Sequence, residues 1–446
     1  MIKTFSAAWV LPMDGQLIEN GEVVTEDGII VDIRPIATPS KDRTHLSNAV
    51  ILPGLINAHT HLEYTALRGF LEDVSFFTWI RTLNRTKAHF TAEDWVVSAK
   101  LGALECLASG ITTIGDNTDS GASMDATLWA GLRGRIYQEF FNIDHRTPVE
   151  GTAQDLFEKL SALSARRGSR MEVGISPHAT YTIRPEMFEA IHRDRRFDGV
   201  PISIHVAESP AEVQMTTEGA GPFAEMFERR GIVWTPPRVS PTRYVYDQGA
   251  MGDKTLLIHC VHQDESDIAL AASSCSAIIH CPKSNAKLGA GIAPLDQWLK
   301  TSDLKLGIGT DSAVSNNSID LFEEMRFALL LQRGRVESVD NVKAVDVLQM
   351  ATSGGAAAMG MDADVGTLTP GKKADLIAVD LSALHMAPAT DPQSALIYSG
   401  RASDVRLTVI GGEVCYHDGI FMLVDSDEVL TEAARLKKKI SMVGNS

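Results

Sequence analysis

The stretch Val50-Ile51-Leu52-Pro53-Gly54-Leu55-Ile56-Asn57-Ala58-His59-Thr60-His61 decides how the rest of the chain is read. Val50 to Ile56 is apolar apart from Pro53-Gly54, and its length suits one buried strand. Two histidines follow, with one residue between them. Residues i and i+2 of an extended segment point to the same face, so His59 and His61 can aim both imidazoles at one point. Two neutral imidazoles converging there suit a borderline-soft divalent metal such as zinc. A satisfied surface pair is the plainer reading of a single His-x-His, and the remaining chain decides between the two.

Downstream, strands alternate with helical patterns, which implies βαβ units and a parallel sheet. Eight candidate strands stand out: Ile51–Asn57, Ile111–Asn117, Gly134–Phe140, Glu172–His178, Ile202–Glu208, Thr255–Val261, Ser276–Pro282 and Lys305–Asp311. Amphipathic stretches such as Ala92–Ala108 and Asp155–Ala165 separate them. Eight such units match an α/β fold of the (β/α)₈ TIM-barrel type, with the active site at the C-terminal strand ends. A doubly wound open sheet is the alternative. Both chain ends read differently. Thr4–Val10, Gly21–Thr25 and Gly28–Ile33 are short strands with hairpin signals at Asp14-Gly15, Asn20-Gly21 and Asp27-Gly28, and residues 374–379 and 405–412 look similar. These β-rich ends, 1–52 and 371–446, flank a barrel expected at 53–370.

Composition bounds the function. A chain of 446 residues with 44% apolar and 22% charged side chains can bury a large core. A net charge of −16 argues against a nucleic-acid or anionic-membrane partner and suits a soluble acidic protein; the expected partner is a small-molecule substrate. There is no run of eighteen apolar residues, and Met1–Phe5 lacks a signal-peptide core. The five cysteines have no C-x-x-C spacing, so a reduced cytoplasmic protein is expected.

The histidines break the tie. Of 13, His59, His61, His178, His205, His259, His262 and His280 fall at or just beyond candidate strand ends. On a barrel those ends share one rim. Asp311 ends the last strand and can close a His-His-His-Asp shell with a position left for water; a helix cap is its bland role, one that Asn316–Ser318 would fill better. Glu208, three residues after His205, suits a proton shuttle, with an N-cap or structural ion pair as the alternative. His259 could polarise the attacking water or the developing oxyanion. His262 leans towards a structural role, and that of His280 is open.

These motifs, in this order, resemble the amidohydrolase superfamily, in its TRZ/ATZ branch of aminohydrolases and chlorohydrolases. The carriers are PGLINAHTHLEYTALRG (53–69), ISPHATYT (175–182), SIHVAES (203–209), LIHCVHQDE (257–265), HCPKSNAKLGAGIAPL (280–295), GIGTDSAVSNNSIDLFEEMR (307–326) and VGTLTPGKKADLIAVD (365–380). The resemblance implies a metal-dependent hydrolase barrel at 53–370 with a composite β-sandwich from 1–52 and 371–446, and it implies that His59, His61, His205 and Asp311 ligate one divalent metal, zinc first and iron as the alternative. It implies that Glu208 and Asp311 shuttle protons, that His259 orients the nucleophile and that His178 contacts substrate. Binuclear relatives carry a bridging lysine on the third or fourth strand; here neither has one, and only Glu139 stands there, so a mononuclear site is expected. Water then displaces ammonia from an amidine-like ring carbon. A homodimer is expected by family analogy alone.

For the substrate, 6-aminodeoxyfutalosine is expected first, because HTHLEYTAL and HVAESPAEV look closer to its deaminases. The alternatives are methylthioadenosine/S-adenosylhomocysteine deaminase, guanine deaminase and a triazine-type chlorohydrolase. Methylthioadenosine deaminases usually grip the ribose with an acid beyond the tryptophan matching Trp79, and Ile80–Phe90 has none. Glu63 could grip sugar hydroxyls or form a rim salt bridge. Arg68 is the substrate arginine favoured here, with Arg81 and Arg85 as the others; each could pair with a substrate carboxylate or lie on a solvated surface.

Overall fold

The computed structural model describes residues 1–36 and 43–444. Four strands open the chain: β1 (Ile2–Val10), β2 (Ile18–Glu26), β3 (Ile29–Pro35) and β4 (Arg43–Pro53). The hairpin signals at Asp14-Gly15 and Asp27-Gly28 lie between strands, but Asn20-Gly21 lies inside β2. There Gly21 lets the strand press against Val10, where a Cβ would meet a methyl at 2.7 Å.

The run read as one strand is two. β4 ends at Pro53, and β5 (Leu55–Thr60) begins a second sheet. Gly54 is the crossing point. A Cβ there would lie 2.1 Å from the Thr112 hydroxyl, so only glycine lets the chain pass. Both halves are fully buried, which is why periodicity could not separate them.

From β5 the chain builds eight parallel strands: β6 (Ile111–Thr118), β7 (Arg133–Phe140), β8 (Met171–Pro177), β9 (Ile202–Val206), β10 (Thr255–His259), β11 (Ala277–His280) and β12 (Lys305–Ile308) complete the set. They pair in chain order. The seam closes where Thr60 bridges Asp311 in parallel register. The sheet is therefore a (β/α)₈ barrel, and the open-sheet alternative falls.

Four further strands, β13 (Leu376–Asp380), β14 (Val405–Ile410), β15 (Glu413–His417) and β16 (Ile420–Phe421), return to the first sheet. Its order is β16-β15-β14-β13-β4-β1-β2-β3, so the two ends of the chain meet along β4 and β13. Phe5, Val23, Ile30, Leu46, Leu376 and Leu407 belong to its separate apolar core. A buried ion pair ties it to the barrel: Arg133 Nε lies 2.6 Å from Asp375 Oδ2. The last element, within the stretch expected to be sandwich, is a helix, Ser426–Gly444, that packs on barrel helix Ala92–Ala108. Among the described residues no helix is long and apolar enough to cross a membrane.

Candidate active site and metal centre

Three imidazoles meet at the C-terminal mouth of the barrel. His59 ends β5, His61 opens the 3₁₀ turn Leu62–Leu67, and His205 lies in β9. The His59 ring is 5.0 Å from both others, centroid to centroid. One nitrogen of each lies within 4.8 Å of the other two. Asp311 completes the group just past β12, its Oδ1 3.5 Å from Nε2 of His59 and 3.5 Å from Nε2 of His61.

That spacing is long for a hydrogen bond, and both ring nitrogens of His59 are buried without a partner. Two donors at about 2.1 Å from one tetrahedral ion lie about 3.4 Å apart. The donor set therefore fits a divalent metal between these groups. Burial lowers His59, His61 and His205, the last to about 4, which keeps the imidazoles neutral as ligands must be. Burial alone would raise Asp311, but His59, His61 and His259 outweigh it and hold the carboxyl well below its ordinary range.

The supporting contacts are specific. The hydroxyls of Ser284 (2.6 Å) and Ser315 (2.7 Å) both donate to Asp311 Oδ2, leaving Oδ1 for the imidazole side. His205 donates from Nδ1 to the His178 carbonyl (2.6 Å), which presents Nε2 to the site. His259 donates from Nδ1 to Asn285 (2.8 Å), and its Nε2 lies 3.7 Å from Glu208 Oε1. The backbone is unusual here: His259, Cys260, Ala207 and Asp311 all have positive φ without being glycine. Such residues persist where the surroundings over-determine them, commonly at working sites.

Burial, then the charge of Asp311, pushes the Glu208 carboxyl up to about 8, so it holds its proton at neutral pH. His178 donates from Nδ1 to the Thr182 hydroxyl (3.0 Å), which itself donates to the Ala179 carbonyl. Above these groups opens a cavity of about 1220 Å³ whose walls include Phe76, Phe77, Trp79, Phe141, Phe223 and Met226. His61, His178, His205, Glu208, His259 and Asp311 all line it.

Two expected substrate contacts are placed elsewhere. Glu63 is buried outside the cavity lining, and its carboxylate accepts from Thr118 Oγ1 (2.7 Å) and from the backbone N–H groups of Asp119 (2.9 Å) and Ser120 (3.2 Å). It fastens the loop after β6. Arg68 pairs with Glu105 and does not line the cavity, nor does Arg85; Arg81 does. His262 donates to the Ala290 carbonyl (2.7 Å), a structural contact, and His280 packs edge-on against Trp298 at 5.5 Å. Sequence reasoning assigned no role to Ser284, Asn285, Ser315 or Glu139. The first two sit inside the quoted HCPKSNAKLG motif, whereas Glu139 was noted only as not being lysine. It lines the cavity with one oxygen buried and unpartnered.

Comparisons with known proteins agree with this geometry. The model of the amidohydrolase family matches residues 50–415. The chain is 32% identical over 96% of its length, and 98% of the relative's, to a 5-methylthioadenosine/S-adenosylhomocysteine deaminase of Symbiobacterium thermophilum. It is 33% identical to a 5'-deoxyadenosine deaminase of Methanosarcina barkeri, over 97% of both chains. An adenosine deaminase from Xanthomonas campestris, solved with bound zinc, superposes with TM-score 0.86 at 26% identity over 98% of each chain. Atrazine chlorohydrolase from Arthrobacter aurescens superposes at 0.83 over 97% of this chain and 99% of that one; at 23% identity this likeness speaks for the fold alone. Matched over most of its length, the chain belongs to the amidohydrolase family.

Proposed function

We propose that this protein is a hydrolytic deaminase of adenine nucleosides that works with one zinc ion held by His59, His61, His205 and Asp311. The observation that carries the reading is the convergence of three imidazoles and the Asp311 carboxylate beside Glu208 and an oriented His259. The nucleoside class is supported by the names of the 32–33% identical relatives.

When bound, such an ion supplies Lewis-acid activation of water near neutral pH. The protein supplies the rest. Asp311 takes the proton of the attacking water, with Oδ2 already saturated by two serines. Glu208 delivers a proton to the ring nitrogen next to the attacked carbon; Asp311 then passes its proton to the amino group, ammonia leaves, and the hydroxyl proton released as the carbonyl forms returns to Glu208. His259 has its Nδ1 proton committed to Asn285, so Nε2 faces the reaction as an acceptor that orients the water. His178 and the aromatic wall hold the base and exclude water.

Within the class, 6-aminodeoxyfutalosine is the substrate we favour. Arg81 lines the cavity, and among the described residues no carboxylate forms an ion pair with it. Its position suits a carboxylate-bearing 5′ extension. Ammonia release measured in parallel from 6-aminodeoxyfutalosine, methylthioadenosine, S-adenosylhomocysteine, adenosine and guanine tests both levels. Activity on a free base or a triazine alone would reject the nucleoside class.

A further inference from the structure

Glu212 lies four residues beyond Glu208, in the helix Pro210–Glu218, and is fully buried without lining the cavity. Its two oxygens go to different parts of the molecule. Oε2 accepts the backbone N–H of Glu208 (2.8 Å), and Oε1 accepts the hydroxyl of Thr180 (2.6 Å). The first bond alone could be ordinary helix capping, since Ser209 is the N-cap and accepts from the Glu212 N–H at 3.3 Å.

The second bond is what capping does not explain. Thr180 belongs to the loop after β8, two residues past His178. That loop is itself joined to β9: the His205 backbone N–H donates to the His178 carbonyl at 3.0 Å, and Ala179 bridges His205. One buried carboxylate thus fastens the backbone of Glu208 to the loop that carries His178 and braces His205. The intervening Ala207 has φ 52°, a left-handed conformation that an alanine rarely adopts, so the chain needs a fixed partner there to hold its direction.

We infer that Glu212 is a positioning residue, which sets the Glu208 carboxyl against His259 and keeps it in register with the His178 loop. The inference rests on the reading of Glu208 as the proton carrier. Glu212 touches no reacting atom. Its effect on the reaction is the displacement that its removal allows, and misplacement of about 1 Å costs roughly a hundredfold in rate.

The test uses the metal-loaded enzyme and the fastest nucleoside of the panel above. Glu212→Ala should lower kcat about 10- to 100-fold, with KM within about threefold and metal content unchanged. Glu212→Gln should restore most of that rate, because its amide oxygen still accepts from Glu208 and its NH₂ can donate to Thr180. In a Glu208→Gln background, Glu212→Ala should cost almost nothing further, because the group it positions is gone. Wild-type kcat in Glu212→Ala, or an equal loss in that background, would overturn the inference. Should Glu212→Ala not fold, Thr180→Val reads the same link: a loss in kcat at constant KM supports it, and an unchanged kcat sinks it. A fully active Glu208→Gln would instead refute the proton-carrier reading, a separate result.

Discussion

Asp311 is joined to His59 twice. Its backbone N–H donates to the His59 carbonyl at 3.0 Å, and its Oδ1 stands 3.5 Å from Nε2 of the same residue. The first contact helps close the barrel seam, and the second forms one edge of the proposed metal-donor set. The spacing between these donors is therefore set by strand pairing, the most rigid element available.

Asp311→Asn should therefore preserve the seam, which uses only backbone, and lose the metal. Ser284→Ala or Ser315→Ala should weaken metal affinity by roughly 10- to 100-fold, since each frees one restraint on Oδ2. Elemental analysis after dialysis against a graded chelator reads both effects. Two tightly held metals per active chain would reject the mononuclear centre.

Glu208→Gln separates acid from ligand. The variant should keep its metal and lose about 10²–10⁴-fold in kcat, the usual contribution of a positioned acid–base group. Loss of the metal would place Glu208 among the ligands, and a rate above about a tenth of wild type would remove it from proton transfer.

What the chain disclosed in one dimension follows from how local each signal is. Strand cores and the histidines that end them are periodic, short-range features, so His59, His61 and His205 could be placed at one barrel rim. Glu63 shows where this stops. Next to His61 in sequence, it suggested a substrate contact, but its partners Thr118, Asp119 and Ser120 arrive some 55 residues later and claim both oxygens. Arg68, readable either as a substrate contact or as a surface arginine, pairs with Glu105, 37 residues away. Asn316–Ser318 does not supply the expected helix cap: Ser312 caps Ala313–Asn316, and Asp320 caps Leu321–Val336. Pairings between side chains distant in sequence leave no periodic trace.

Glu324 carries a pH prediction away from the metal donors. It is fully buried, accepting from Asn316 Nδ2 (2.6 Å) and the Lys283 backbone N–H (3.2 Å), and burial pushes its carboxyl up to about 8. The folded chain thus keeps a proton that the unfolded chain releases near pH 4.5. Its contribution to stability is full below that value and is lost as pH rises towards 8, by up to about 1.4 kcal/mol per pH unit. Glu324→Gln cannot ionise. Its melting temperature relative to wild type should rise steadily from pH 5.5 towards 8 and level off above it, and a difference independent of pH would mean that Glu324 is charged throughout.

Arg81 carries the substrate prediction. Of the three arginines in the segment after β5, it is the one at the cavity wall, and no carboxylate among the described residues engages it. A charge-assisted hydrogen bond is worth about 1.5–3 kcal/mol when shielded. Arg81 is exposed, so screening by solvent should bring its contribution to about 1 kcal/mol, roughly fivefold in kcat/KM. Adenine nucleosides with a carboxylate on the 5′ extension should thus be preferred about fivefold over methylthioadenosine, and the preference should shrink as salt is raised. Arg81→Met should abolish it while sparing uncharged nucleosides, because nothing else about the base or the metal donors has changed. Equal kcat/KM for the two substrates in the wild-type enzyme would reject the role of Arg81. A preference that survives Arg81→Met would transfer that role to Arg229 or Arg230, which line the same cavity on the helix Pro222–Arg230.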